Sequence, residues 1–159
     1  MRSLLGLLAL GLAAACGGPT QPTVQATVDV GVDAVVADVQ QYGVATWLSF
    51  DVPVTITNAG PDPVRVAHCA YAVEQPTLSG WRTVWSSLCM ADVVADMVIP
   101  PGEARDVTFH IGGSLTGSVS PRWEADAIGG TYRLRVGLMP VGSDGAVPMI
   151  ASDAFVVAE

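Results

Sequence analysis

His68, Cys69, Cys89 and His110 are the residues whose types could do chemistry together. Two thiols and two imidazoles suit a soft metal, a close thiol pair suits redox exchange, and two thiols in an oxidising compartment form a covalent staple. The separation of Cys69 from Cys89 is unlike C-x-x-C, so neither a zinc knuckle nor a thioredoxin-type couple fits. The choice between metal and staple then turns on the compartment, and the other end of the chain speaks to that.

The chain opens "MRSLLGLLALGLAAACGGPTQP", with Arg2, an apolar run from Leu4 to Ala15, and small residues around a cysteine. The run is short for a membrane span and has the layout of a secretory signal. Its end, "LAAAC", resembles the lipobox of bacterial lipoproteins, in which cleavage precedes the cysteine and the thiol receives a diacylglyceryl group; Ala13 stands where that family most often has leucine. The resemblance implies a signal peptide over 1–15, lipidation at Cys16 and a tether over 16–23. It places the protein in the bacterial cell envelope, lipid-anchored and facing the periplasm or the exterior. Gly17 follows the cysteine, so the aspartate of the inner-membrane retention signal is absent. An ordinary signal peptide cut near the same alanines is the alternative, and both readings export the chain. In an exported protein Cys69 and Cys89 are expected to bond to each other, which closes a loop that stabilises the fold by roughly 3 kcal/mol and leaves Cys16 as the odd thiol.

Composition narrows the rest. Half of the residues are apolar, with 17 glycines and 11 prolines, a mixture that suits short strands and tight turns. All 7 basic residues are arginines, set against 15 acids. That balance argues against nucleic acid, whose phosphates need a basic face, and against adhesion to anionic lipid by charge. Residues 24–159 are enough for one domain.

Alternating patterns predict the strands. "VQATVDVGVD" sets Val24, Ala26, Val28, Val30 and Val32 on one face, and "WLSFDVPVTITN" does the same with Leu48, Phe50, Val52, Val54 and Ile56. Pro53 in that second run is expected at an edge or a bulge. "DAVVADVQQYG" suits a strand or a short helix. "VRVAHC" and "YAVE" read as short strands, "WRTVWSS" as the second arm of a hairpin, and "MVIPPGEARDVTFHI" as strand, turn, strand. A long loop, 112–130, precedes two final strands, "TYRLRVGLM" and "IASDAFVVA". About eight strands with regular turn signals read as an all-β, antiparallel sandwich. The order "VTITNAGPDPVRV", "PPGEARDVTFHI", "GTYRLRVGL" and "SDAFVV" resembles the immunoglobulin-like or fibronectin-like sandwiches of small bacterial lipoproteins. That resemblance implies a tyrosine-corner role for Tyr132, its phenol bonded to backbone upstream.

No catalytic set stands out. Ser114 or Ser118 with His110 and Asp106 assembles on paper only, and there is no G-x-S-x-G elbow and no Walker loop, so an enzyme is not expected. No cofactor is implied. Metal binding through His68, His110 and the methionines Met90, Met97, Met139 and Met149 lacks a specific spacing, and Asp29, Asp33 and Asp38 do not reproduce a calcium loop. Trp81 and Trp85 alternate along one strand and are expected on one face. Trp81 with Arg82, and Arg122 with Trp123 in the long loop, have the composition of a binding hot spot. Trp123 either pins that loop or presents it. The reading is a membrane-anchored, non-catalytic binding or accessory module with an envelope protein as partner. Alternatives are a proteinase inhibitor using the long loop and, from another class, a copper-handling protein.

Overall fold

Two-residue alternation carries one of the two longest strands of the described residues. In the computed structural model, which describes residues 24–88, 97–116 and 119–159, Leu48, Phe50, Val52, Val54 and Ile56 are all buried and their alternates are not. Each such side chain stabilises the fold by about 1.5–3 kcal/mol on burial. This strand is β4 (Ala45–Asn58), preceded by β1 (Ala26–Val30), β2 (Ala34–Val36) and β3 (Asp38–Tyr42). It is followed by β5 (Val64–Thr77), β6 (Gly80–Ser86), β7 (Met97–Ile99), β8 (Ala104–Ser114), β9 (Gly130–Pro140) and β10 (Met149–Ala158). The described residues contain no helix. One sheet has β4 at its centre, with β1 and β3 on one side and β8 on the other; the second runs β2-β10-β9-β5-β6, with β7 also against β5. The inward faces of both form one apolar core, which makes the domain an all-β sandwich, as expected.

The described residues form ten strands where about eight are expected. "VRVAHC" and "YAVE" fuse into β5, whose pairing with β9 is interrupted between Val66 and Tyr71. The segment that suited either a strand or a helix resolves into β2 and β3, and these belong to different sheets. β2 runs parallel to β10, whereas the other paired strands among the described residues are antiparallel; an isolated parallel bridge also joins Ser114 and Arg122. The Ala37 N–H then bonds the Ala158 carbonyl at 2.8 Å before the chain joins β4 as β3. The reason is burial: Val35 and Ala37 point inward while Val36 is 74% exposed, a pattern that a helix cannot match.

Pro53 departs from its expected edge position, since β4 is central. Its carbonyl accepts the Gly31 N–H at 3.0 Å, so its ring nitrogen points to the same side. There β1 ends opposite Val54 and β3 begins opposite Ser49. The missing N–H faces the interval between two partner strands, and no ladder bond is lost.

The two ends of the sandwich differ. At the base, Asn58 is fully buried and ties the sheets together: its Nδ2 donates to the carbonyls of Asp62 (2.9 Å) and Ile99 (3.1 Å), and its Oδ1 accepts the Gly60 N–H. The described chain enters here, with the Ala59 N–H bonded to the Gln25 carbonyl. The far end carries the β3–β4 and β5–β6 turns and the described residues between β8 and β9, 115–116 and 119–129. On the outer face of the six-stranded sheet, the loop before β10 closes over Gly137. A Cβ at that position would meet the Ala70 Cβ at 2.5 Å and Val147 Cγ1 at 2.7 Å. Gly137→Ala is therefore expected to destabilise the domain by about 1–3 kcal/mol through overpacking, read as a lowered melting temperature; an unchanged melt would mean that the loop does not close there.

Candidate functional site

Alternation in β9 sends Tyr132, Leu134 and Val136 into the core and leaves Arg133 and Arg135 on the outer face. Register places Arg133 opposite Glu74 of β5 and Arg135 opposite Ala72. Glu74 is buried on this outward face because the arginines cover it. Arg133 donates from Nε to Oε2 at 2.8 Å and holds Nη2 at 2.6 Å from the same oxygen, while Arg135 Nη1 reaches Oε1 at 3.2 Å. Arg135 Nη2 also donates to the Met149 carbonyl at 3.4 Å. Trp81 completes the cluster: the Arg133 guanidinium carbon lies 4.4 Å from the centre of its ring, within cation–π range.

The structure corrects the expected pairing of tryptophans. Trp81 and Trp85 do not share a face, because a register shift in β6 sets Trp85 opposite Val73 and Thr83 opposite Glu74. Val84 is the extra residue, and a bulge reverses the facing of the chain beyond it. Trp85 is consequently core, donating its Nε1 to the Gly112 carbonyl at 2.9 Å and packing on Tyr71. Trp81 remains 37% exposed. Its partner is Arg133 across the sheet; Arg82, its neighbour in sequence, is exposed and sits opposite Gln75 on the other pleat.

Of the two roles open to Trp123, pinning its loop or presenting it within a binding surface, the structure shows the first: the residue is 3% exposed and makes an edge contact with Phe50 and a tilted contact with Tyr132. Its loop is tied down by backbone bonds. The Ser114 N–H reaches the Pro121 carbonyl at 2.9 Å, the Trp123 N–H reaches Ser114 at 3.0 Å, and the Glu124 N–H reaches Val84 of β6 at 2.8 Å. Gly112 and Gly113, expected at the start of the loop, belong to β8, where Gly113 admits Trp85: a Cβ there would lie 3.0 Å from the indole. That end serves close packing. Arg122 is exposed and lines a shallow depression beside Leu88 and Glu124. Tyr132, fully buried, donates its phenol to the Ala127 carbonyl five residues upstream, at 2.9 Å. Burial, with the Glu159 carboxylate second, raises its pKa above the ordinary tyrosine value.

The paper triad does not assemble. His110 pairs with Asp51 at 2.8 Å on an exposed face, Asp106 accepts from Thr55 at 2.7 Å, and Ser114 is buried with its hydroxyl on the Thr116 carbonyl. Cys16, Cys89, Met90 and Ser118 lie outside the described residues, as does the side chain of His68. Cys69 falls in β5. Among the described residues no three metal-ligating groups converge. Sequence reasoning missed Glu74, Arg133 and Arg135. Their signal was present in "YRLRV", where two arginines alternate with core residues, and in the acid that ends "YAVE".

No protein-family model matches the sequence, and no curated protein matches it. The X-ray structure of a Northeast Structural Genomics Consortium target is similar over 86% of each chain, at 15% identity and a TM-score of 0.43. A β-glucosidase from Listeria innocua is similar as a mutant with laminaribiose (14% identity, TM-score 0.35, 86% of this chain) and with gluconolactone (16% identity, TM-score 0.35, 84% of this chain). This chain spans only 16% of either β-glucosidase chain.

Two measurements check these placements. Trp123→Ala is expected to cost about 3–5 kcal/mol in denaturant unfolding, as large core aromatics do, whereas Trp81→Ala should cost far less; the reverse order would return Trp123 to the surface. Tyr132→Phe should cost about 1 kcal/mol near neutral pH for the lost hydrogen bond. Because the folded state raises the phenol's pKa, the stability that it contributes is present below its ordinary value near pH 10 and is lost as pH rises through the raised value. The gap between wild type and Tyr132→Phe should therefore narrow in strongly alkaline solution, and a constant gap would remove the linkage.

Proposed function

We propose that this chain is a lipoprotein of the bacterial cell envelope, anchored through Cys16, whose immunoglobulin-like sandwich acts as a non-catalytic binding or accessory module. The observation that carries the reading is the Trp81–Arg133–Arg135 cluster over buried Glu74. Trp and Arg are the side chains that dominate binding surfaces, and here both are held in fixed orientation before any partner arrives.

The course of the chain supports the same reading. A tether over 16–23 spans at most on the order of 25–30 Å when extended, and the described chain begins at the base beside Asn58. Anchoring at Cys16 keeps the base near the bilayer and turns the far end, with its β5–β6 turn, outward. The phenol of Tyr132, bonded upstream to Ala127, has the geometry of a tyrosine corner and favours the immunoglobulin-like assignment. Export also favours a disulfide between Cys69 and Cys89.

The test combines labelling and capture in the native host. Full-length protein should incorporate labelled palmitate and Cys16→Ser should not; the denatured, unreduced Cys16→Ser protein should expose no thiols. Cross-linking in intact envelopes should then yield a partner that Trp81→Ala loses while keeping its fold. Absence of label sinks the anchor, two thiols sink the disulfide, and a partner held equally by Trp81→Ala sinks the surface.

A further inference from the structure

The outer face of β5, β6 and β9 concentrates positive charge in an acidic protein. The chain carries a formal net charge of -8, yet on this face Arg133 and Arg135 stand against a single carboxylate, Glu74, whose two oxygens are already engaged. The nearest acids on β10 and at the C-terminus are turned elsewhere: Asp153 accepts the Val30 N–H at 2.9 Å and Glu159 accepts the Gly129 N–H at 3.2 Å.

A guanidinium has five N–H donors in a rigid fork. Glu74 and the Met149 carbonyl take the donors on Arg133 Nε and Nη2 and on Arg135 Nη1 and Nη2. Among the described residues, Arg133 Nη1 and Arg135 Nε bond to no protein atom, and neither is a buried orphan. They are donors left open to solvent, on side chains that the carboxylate beneath and the indole beside them hold in place. The flanking position on β10, opposite Arg133, is Ala154, small and exposed.

We infer that this face binds a carboxylate-rich peptide segment of the partner, gripped by the open N–H groups of Arg133 and Arg135 beside Trp81. The inference rests on the reading of this face as the contact surface and adds the chemistry of what it contacts. A peptide is favoured over an acidic glycan because stacking of a sugar needs a broad bare aromatic face, and Trp81 gives one face to Arg133 and is only 37% exposed. What the patch offers outward is charged hydrogen-bond donors, the complement of glutamate and aspartate side chains.

The experiment uses the full-length lipoprotein in nonionic detergent, with labelled hexaglutamate, hexaglutamine and oligogalacturonate as probes for fluorescence anisotropy. Hexaglutamate should bind and weaken with salt, and hexaglutamine should not bind. Arg135→Gln should lower hexaglutamate affinity by about tenfold or more. Ala154→Glu leaves the cluster intact and sets a competing carboxylate beside Arg133, so it should abolish binding even if Arg135→Gln folds poorly. Arg105→Gln, on the other sheet and paired with Glu103, should change nothing. Failure of hexaglutamate to bind, equal binding by Ala154→Glu, or binding of oligogalacturonate alone overturns the inference. If an envelope partner still depends on Trp81 in those cases, the contact surface stands and only its ligand chemistry falls. Loss of both removes the surface as well.

Discussion

The insertion of Trp123 between the sheets is the contact on which the far end of the domain depends. The indole lies against Phe50 of β4 and Tyr132 of β9, one residue from each sheet, so it spans the gap that neither strand fills. Burial of a residue this size draws its whole segment in, and the backbone then has to find partners. It does so through Ser114, Thr46 and Val84. The bond from Glu124 to Val84 lands on the bulged residue of β6, where the strand reverses its facing and Trp81 turns outward. Core packing at one point thus sets the orientation of the aromatic on the opposite side of the sheet.

The base is closed by polar means. β1, β2 and β3 run from base to far end as one path that changes sheet twice, which is possible only because Gly31 and Ala37 hand their N–H groups to Pro53 and Ala158 at the crossings. Asn58 performs the equivalent task between β4 and β7 and leaves its own backbone satisfied by Glu103 and Gly102. Fully buried, it would cost several kcal/mol without those bonds. With them it fixes how β5 leaves β4 and hence where Glu74 meets β9.

What was legible in the sequence was whatever obeys a local period. The faces of β4, the presence of β9, the turn within "PPG" before β8, and the phenol of Tyr132 followed from spacing or from the fold resemblance. What escaped was set by non-local choices. A bulge at Val84 shifts the parity of β6 without any glycine or proline to announce it, so the tryptophans looked coplanar. The assignment of β2 and β3 to different sheets depends on Val35 finding β10, more than a hundred residues away in sequence. Trp123 was undecided because an aromatic in a polar loop has the same local signature whether it plugs a core or meets a partner. Arg82 adjoins Trp81 along a strand, where neighbours point to opposite faces, and Arg122 adjoins Trp123 in a loop that buries the indole and leaves the guanidinium exposed. The arginine that reaches Trp81 comes from a strand fifty residues away.

The placement of Glu74 is hard to explain as a device for stability. A buried carboxylate loses hydration that its ion pairs only partly return, and an apolar residue of similar volume often does as well or better. The cost is moderated here because Arg133 and Arg135 keep part of their hydration, which also weakens the pairs as stabilisers. A leucine at this position would pack against β9 and leave both arginines to sample solvent freely. The carboxylate instead fixes two guanidinium planes, and one of them lies against an indole. Side-chain entropy that a partner would otherwise have to overcome is removed during folding. An acid buried beneath two arginines on the outside of a sheet makes physical sense when the orientation of those arginines is what matters.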